Sequence, residues 1–327
     1  MKKLSDLGER NTIHLISKLV TKGDVAVGIG DDCAAISLGE EYLLVTTDML
    51  TRKTHIPKEM TPYQIGWFAV AINLSDIAAK SGTPLGVVLS LGLPKNTEES
   101  FLKEMIRGAD FCATSFDTSI IGGDTKENTE LTICGTAIGI VKKNEFMPRK
   151  GMKSGDIVAV TGQLGKAAAG YLALQHHKKN KELLKGLFEP IPRIREGIVL
   201  AKEKIVSSCM DISDGLSSSL YQLMEINHVG FDIDKETIPI SPQLLRLQKQ
   251  LKKNVYEYAL HFGGDYELLV TIPAEKFNKA ARAVKKTGTT LTAIGRVIKG
   301  KKVTMISTKG KTILQNKGYE HFKPMKF

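Results

Sequence analysis

The chain has no run of about 18 apolar residues, the length a membrane-crossing helix needs. Its longest apolar stretch, Ile65 to Leu93, is broken by Asn73, Asp76 and Lys80. No membrane span is expected. No apolar segment follows the lysines of Met1-Lys2-Lys3-Leu4-Ser5-Asp6, so no secretory signal is expected either. Cysteine is scarce. Cys33, Cys112, Cys134 and Cys209 stand far apart and form no C-x-x-C pair. A zinc ribbon and a thioredoxin-type site are thereby disfavoured, and the thiols read as free in a reducing cytoplasm. His176 and His177 are adjacent and cannot face one zinc ion from one helix. The common catalytic signatures are missing too. Gly162-Gln163-Leu164-Gly165-Lys166-Ala167 is too short for a P-loop and has no Ser or Thr after the lysine. It reads as a strand–turn–helix joint. Neither H-R-D nor D-F-G nor a G-x-S-x-G elbow is present.

What is present is ordinary for a globular protein: 42% hydrophobic and 25% charged residues in a chain of 327. That length suggests about two domains and a core that needs no staple. The net charge of +11 raises nucleic-acid binding. However, the lysines are scattered (Lys178-Lys179, Lys252-Lys253, Lys285-Lys286) and not interleaved with aromatics. No helix-turn-helix or RNP pattern appears. A solvated basic surface that attracts anionic phosphates is the better reading, and no nucleic-acid partner is expected.

Glycine and proline divide the chain at Pro148-Arg149-Lys150-Gly151. We expect one domain over 1–148 and a second over 149–327. In the first, short β-branched runs predict strands at 24–29, 42–47, 85–91, 118–122 and 131–141. Helices are expected from Thr61-Pro62 to Lys80, with Thr as N-cap and Pro at the first position, and over 98–114. The second predicts strands at 157–161, 207–212, 231–233, 266–272 and 291–298, then a hairpin of 303–307 and 311–314. Its helices are expected at 166–175, 193–204, 215–226, 241–251 and 275–287. Mixed elements without strict alternation indicate an α+β fold.

Aspartates recur where strands end or helices meet loops: Asp31-Asp32, Asp48, Asp76, Asp124, Asp211, Asp214 and Asp265. Singly, each is an ordinary turn or cap residue. As a set they point to a cation, because converging carboxylates repel one another unless something positive lies between them. Magnesium fits, being hard and served by carboxylate, water and phosphate oxygens. Asp76 is the most informative. It falls near a helix C-terminus, where the macrodipole disfavours an anion, and its alternative use is an i,i+4 pair with Lys80. Asp214 has the competing role of N-cap to the helix at 215–226. Ser217, Ser218 and Ser219, in the first turn of that helix, could hold phosphate.

The motifs Gly30-Asp31-Asp32-Cys33-Ala34, Thr46-Thr47-Asp48, Asn73-Leu74-Ser75-Asp76, Gly122-Gly123-Asp124, Met210-Asp211-Ile212-Ser213-Asp214-Gly215 and Gly263-Gly264-Asp265-Tyr266-Glu267-Leu268 resemble, in this order, the thiamine-monophosphate kinase family. The ending Gly318-Tyr319-Glu320-His321-Phe322 is similar too. The resemblance places the chain in the superfamily of aminoimidazole ribonucleotide synthetase and selenophosphate synthetase. It implies a two-domain PurM-like architecture, with the N-terminal sheet pairing across a homodimer and a C-terminal α+β domain. The implied reaction is ATP plus thiamine phosphate giving ADP plus thiamine diphosphate. It further implies that Asp31, Asp48, Asp76, Asp124, Asp211 and Asp214, helped by Thr46 and Thr47, hold several Mg²⁺ ions. Gly123, Asp124, Arg149 and Ser213 would contact ATP, and His55, Tyr319 and Gly264 the thiamine phosphate. Two positions depart from the family pattern: Ile106-Arg107, where relatives carry an aromatic near adenine, and Gly264, where some carry an acid. A sibling enzyme with another acceptor, and a non-catalytic nucleotide or nucleic-acid binder, are the alternative readings. Selenophosphate synthetases carry a reactive Cys near the N-terminus; here the first is Cys33, inside the aspartate motif.

Overall fold

Thr61 and Pro62 start the helix around which the molecule is built. The Thr61 hydroxyl accepts from the Gln64 backbone N–H, and the Gln64 side chain answers at the Thr61 N–H. In this computed structural model, which describes residues 3–21, 23–176, 180–252 and 254–323, that helix runs Pro62–Ala79. His177, Lys178, Lys179 and Lys253 lie outside the described residues. Two helices precede it, α1 (Leu4–Leu7) and α2 (Glu9–Leu19), and it is α3. The first sheet consists of β1 (Ala34–Leu38), β2 (Glu41–Thr51), β3 (Thr83–Leu93), β4 (Ile120–Glu127) and β5 (Thr132–Lys142), in the order β1-β2-β5-β3-β4. The helix α4 (Glu99–Ser115) connects β3 to its parallel neighbour β4.

The second sheet has the order β12-β11-β8-β10-β6-β9-β7. Along the chain its elements are β6 (Ile157–Thr161), α5 (Lys166–Gln175), α6 (Lys181–Phe188), α7 (Ile194–Lys202), β7 (Ser208–Asp211), α8 (Leu216–Asn227), β8 (Gly230–Asp234), α9 (Pro242–Leu251), α10 (Val255–His261), β9 (Leu268–Ile272), α11 (Phe277–Lys285), β10 (Leu291–Ile298), β11 (Val303–Ser307) and β12 (Gly310–Ile313). The α+β expectation holds, as do the 162–167 joint between β6 and α5 and the β11–β12 hairpin.

Helix α3 is apolar on every side, as befits a helix buried all round. It crosses α4 where both are stripped to glycine: a Cβ on Gly66 would meet the Met105 carbonyl, and one on Gly108 the Tyr63 carbonyl. Gly197 of α7 lets that helix approach the Ala78 carbonyl in the same way. The core of the first sheet thus continues through α3 into Leu200, Cys209 and Val270 of the second half. The C-terminal turn of α3 ends up between the two sheets. The far face of the first sheet carries Ile36 and Met49, 40% and 59% exposed, beside the half-buried Val45, Ile138 and Ile140.

Some elements differ from expectation. Residues 24–29 make only isolated bridges at Val27 and Ile29, and the strand there is β1. The helices α1, α2, α6 and α10 are not among those expected. Gly122-Gly123-Asp124 lies within edge strand β4, not in a turn after it. Gly122 has open space beside it, whereas a Cβ on Gly123 would meet the Leu89 carbonyl of the neighbouring β3.

Candidate active site

The last turns of α3 organise the site. The Asn73 side-chain oxygen accepts from the backbone N–H of Asp48 at 3.1 Å, fixing the end of β2. Ser75 donates to an Asp211 carboxylate oxygen at 2.6 Å, tying in β7. Asp76 accepts from the Thr46 hydroxyl at 2.5 Å. One oxygen each of Asp32, Asp76 and Asp211 lie within 4.8 Å of one another. Asp48, Asp76, Asp211 and Asp214 line a cavity of about 890 Å³.

These acids are badly matched to burial. Desolvation, reinforced by the Asp48 and Asp211 charges, pushes Asp76 well above the usual carboxylate range. Burial and the Asp32 charge raise Asp211 to about 7. Burial, with Glu9 next, raises Asp214 to about 7 and Asp48 to about 6. None of the four is in an ion pair among the described residues. Lys80 does not pair with Asp76. Its ammonium lies 2.6 Å from Asp31 and 2.9 Å from Asp32, so the alternative use of Asp76 falls away. Asp32 is also held by the Arg149 guanidinium. Burial works against its charge, but Arg149 and Lys80 outweigh it and hold the carboxyl below its ordinary value.

The other expected residues divide. Asp32, rather than Asp31, meets Asp76 and Asp211; Asp31 accepts from Lys80 and from the Arg149 backbone N–H. Asp214 is not a cap: the cap position is Gly215, and no side chain caps α8. The three serines are consumed internally, Ser217 by His261, Ser218 by Arg10 and Ser219 by the Gly215 carbonyl. Thr46 faces the cluster, but strand alternation sends the Thr47 hydroxyl to Gly135 and Thr136 instead. Gly123 and Asp124 are exposed on β4, three strands from Asp48 and about 14 Å away by strand spacing. Ser213 lines the cavity; Arg149 stands behind Asp32 and also reaches Gln222 at 3.2 Å. Gly263, not Gly264, is at the wall; Gly264, at φ +92°, packs towards Ala167. Asp265 accepts from the backbone N–H groups of Gly165 and Ala167, and so caps α5.

At the other end of the cavity, His55 and Tyr319 both meet His321. The His55 and His321 Nε2 atoms are 3.3 Å apart, and the Tyr319 hydroxyl is 3.2 Å from His321 Nδ1. Burial, then His321, lowers His55 to about 4, so it is neutral near pH 7. His321 had no role in the sequence reading, and neither did Glu9, which lines the cavity from the unforeseen α2. Asn73 and Ser75 were inside a quoted motif. Their job as braces shows only when β2 and β7 are seen beside α3.

Residues 30–141 match the AIR synthase related protein N-terminal domain, and residues 153–307 the C-terminal domain of that family. The thiamine-monophosphate kinase of Methanospirillum hungatei is 41% identical over 89% of this chain and 92% of its own length. That of Pyrococcus horikoshii is 35% identical over 90% and 91%. The solved structure of AaThiL complexed with AMPPCP and TMP superposes with a TM-score of 0.87 at 31% identity, covering 98% of this chain and 99% of that one. The chain belongs to the thiamine-monophosphate kinase family.

Proposed function

We propose that this protein transfers the γ-phosphoryl group of ATP directly to thiamine phosphate, giving thiamine diphosphate and ADP with Mg²⁺ as the required ion. The observation that carries the reading is the convergence of Asp32, Asp76 and Asp211 beside Asp48 and Asp214 at one end of a cavity whose other end presents His55, Tyr319 and His321. The donor set suits magnesium: hard carboxylate oxygens, several with raised pKa and no basic partner. Asp48, Asp76, Asp211 and Asp214 would hold the ions with Asp32, while Thr46 orients Asp76. Bound Mg²⁺ supplies neutralisation of the donor and acceptor phosphates, the main barrier in joining two anions.

The remaining work falls to the chain. Neutral His55 and the Tyr319 hydroxyl can hydrogen-bond the acceptor phosphate without adding a full charge. Phe68, Tyr171, Phe262 and Tyr266 form aromatic wall pairs, Tyr171–Phe262 at 4.9 Å and Phe68–Tyr266 at 6.0 Å between centroids. Such faces suit a flat cationic ring and keep water off the reacting end. Ser213 and Arg149 flank the acidic cluster on the side assigned to nucleotide. The nucleophile is a phosphate oxygen already deprotonated near neutral pH, so no general base is needed. An aspartyl-phosphate trapped from radiolabelled ATP would overturn direct transfer.

Gly123 and Asp124 are too far from Asp48 to share an ion within one chain. They lie beside the uncovered apolar face of the first sheet. We therefore read the working unit as a homodimer paired through that face, and take 1–148 and 149–327 as its two domains. Free thiols throughout the described chain are in keeping with a cytoplasmic enzyme. No helix of the described residues is long and apolar enough to cross a membrane. The test is incubation with thiamine phosphate, ATP and Mg²⁺, against an EDTA control, with thiamine diphosphate measured as thiochrome fluorescence after separation. Magnesium-dependent product is expected. Its absence from folded, ATP-binding protein would move the reading to a sibling enzyme with a different acceptor.

A further inference from the structure

Lys80 is among the most thoroughly buried side chains of the molecule, at 0% exposure. It follows directly on α3 and pairs with Asp31 and Asp32 rather than with Asp76. Its ammonium has three N–H donors and four oxygens around it: Asp31 at 2.6 Å, Asp32 at 2.9 Å, and the Met147 and Cys209 carbonyls, each at 3.0 Å. Those oxygens come from the loop before β1, from the segment joining the two sheets and from β7. A small cation wrapped in oxygens from three chain segments is the arrangement a protein makes for a metal ion. Here the cation is a side chain.

The charges divide accordingly. Asp31 and Asp32 face Lys80 and Arg149, two negative against two positive. A step further into the cavity, Asp48, Asp76, Asp211 and Asp214 face no ion-pairing base among the described residues. Asp32 belongs to both groups: Lys80 takes one of its oxygens and Arg149 the other, and it still lies within the 4.8 Å triad with Asp76 and Asp211.

We propose that Lys80 is a resident monovalent cation of the acidic site, occupying permanently the place that a divalent ion would otherwise take between Asp31 and Asp32. The inference rests on the magnesium reading of the site. It makes Lys80 a positioning residue with two effects. Asp31 is withdrawn from metal binding, and metal is confined to the side of Asp48, Asp76, Asp211 and Asp214. The Asp31–Asp32 loop is also kept in place before any metal arrives, so Asp32 is already aimed at the triad.

The test is to count metal ions rather than turnovers. Mn²⁺ bound per chain is measured by equilibrium dialysis, with no nucleotide present, for the parent protein and for Lys80→Met, an unbranched apolar side chain of similar reach. Melting temperature is read in EDTA and in millimolar Mn²⁺. Lys80→Met is expected to bind one more Mn²⁺ per chain than the parent. It should melt several degrees lower in EDTA, and Mn²⁺ should recover most of that loss. Lys80→Gln, which keeps hydrogen-bond donors but not the charge, is expected to gain the same ion. A residue that merely fills space would change the melting temperature but not the stoichiometry. Equal Mn²⁺ counts in parent and variants overturn the proposal while leaving the magnesium reading intact. Variants that fail to fold in EDTA and are not rescued by Mn²⁺ overturn it as well. A parent that binds no Mn²⁺ removes the magnesium reading itself, and this inference with it.

Discussion

Asp211 and Glu267 are both buried acids on the second sheet, one closing β7 and the other just before β9, and they are satisfied in opposite ways. Glu267 is gripped by the Arg193 guanidinium through two bonds of 2.6 Å and takes a further bond from Thr161 at 2.8 Å. Burial opposes the charge on Arg193, but Glu267 outweighs it and raises the Arg193 pKa. Asp211 has a single hydroxyl, from Ser75, carboxylate neighbours in Asp32 and Asp48, and the Arg149 charge acting without an ion pair. A buried acid in a bidentate fork holds the fold. A buried acid with one hydroxyl donor and carboxylates around it is stabilised in its charged form by an added cation, the role proposed for Mg²⁺. The difference separates structure from function without reference to any relative.

Substitutions should split along that line. Asp76→Asn removes a charge the site cannot neutralise by itself. Turnover is expected to fall by on the order of 10²–10³-fold, the scale of losing one electrostatic contact to the transition state. Melting in EDTA should stay the same or rise. Near-normal thiochrome signal in that variant would remove Asp76 from the metal set. Glu267→Ala should do the reverse. It leaves the mostly buried Arg193 charge with only the longer Glu196 contact, at 3.9 Å, and costs up to roughly 3–5 kcal/mol. Denaturant unfolding should show that loss, while activity per folded molecule remains close to the parent. A variant with lost activity and unchanged stability would place Glu267 in the site.

The acidic cluster also predicts how Mg²⁺ and pH interact. Unfolded carboxylates titrate near 3.9, whereas Asp48 is raised to about 6 and Asp211 and Asp214 to about 7. Between roughly pH 4 and 7 the folded chain keeps protons that the unfolded chain has released. The stability these groups contribute therefore falls as pH rises through that window. His55 and His261, both lowered to about 4, run the other way, adding stability as pH rises from 4 towards 6.5. The histidine contribution is common to samples with and without metal, so the difference between the two isolates the acids. The stabilisation by Mg²⁺ should grow from pH 5 to pH 8, reaching about 2.7 kcal/mol where the ion is 100-fold above its dissociation constant. An equal shift in melting temperature at both pH values would break the link between the raised acids and the metal.

The sequence was most legible where local chemistry decides. Thr61-Pro62 announces α3, and the placing of Asp76 near a helix end marked it as anomalous. Legibility failed where distant segments decide. Nothing in Asp31-Asp32 says which of the two faces Asp76, because that depends on Lys80 and Arg149 reaching in from elsewhere. Thr46 and Thr47 are equivalent in a motif, yet the pleat sends them to opposite faces. Asp214 reads as a helix cap by residue type, but its neighbour Gly215 holds that position. The missed helices are not hidden by weak patterning: α2 has 11 residues, more than the foreseen α7 or α11, and α6 carries Leu183, Leu184, Leu187 and Phe188 at helical spacing.

The smallest effect tests the same contrast along one helix. The N-terminus of α3 is held by Thr61 and Gln64 and touches nothing in the cavity, whereas its C-terminal turns carry Asn73, Ser75 and Asp76. Thr61→Ala removes the acceptor for the Gln64 N–H and should lower stability by about 1 kcal/mol. The far end of α3 is fixed independently by Asn73 on β2 and Ser75 on β7, so the carboxylates should not move. Turnover and Mg²⁺ dependence are then expected to match the parent below the melting transition. A shift in the Mg²⁺ requirement of Thr61→Ala would mean that α3 transmits strain along its length, and that its two ends cannot be treated as separate regions.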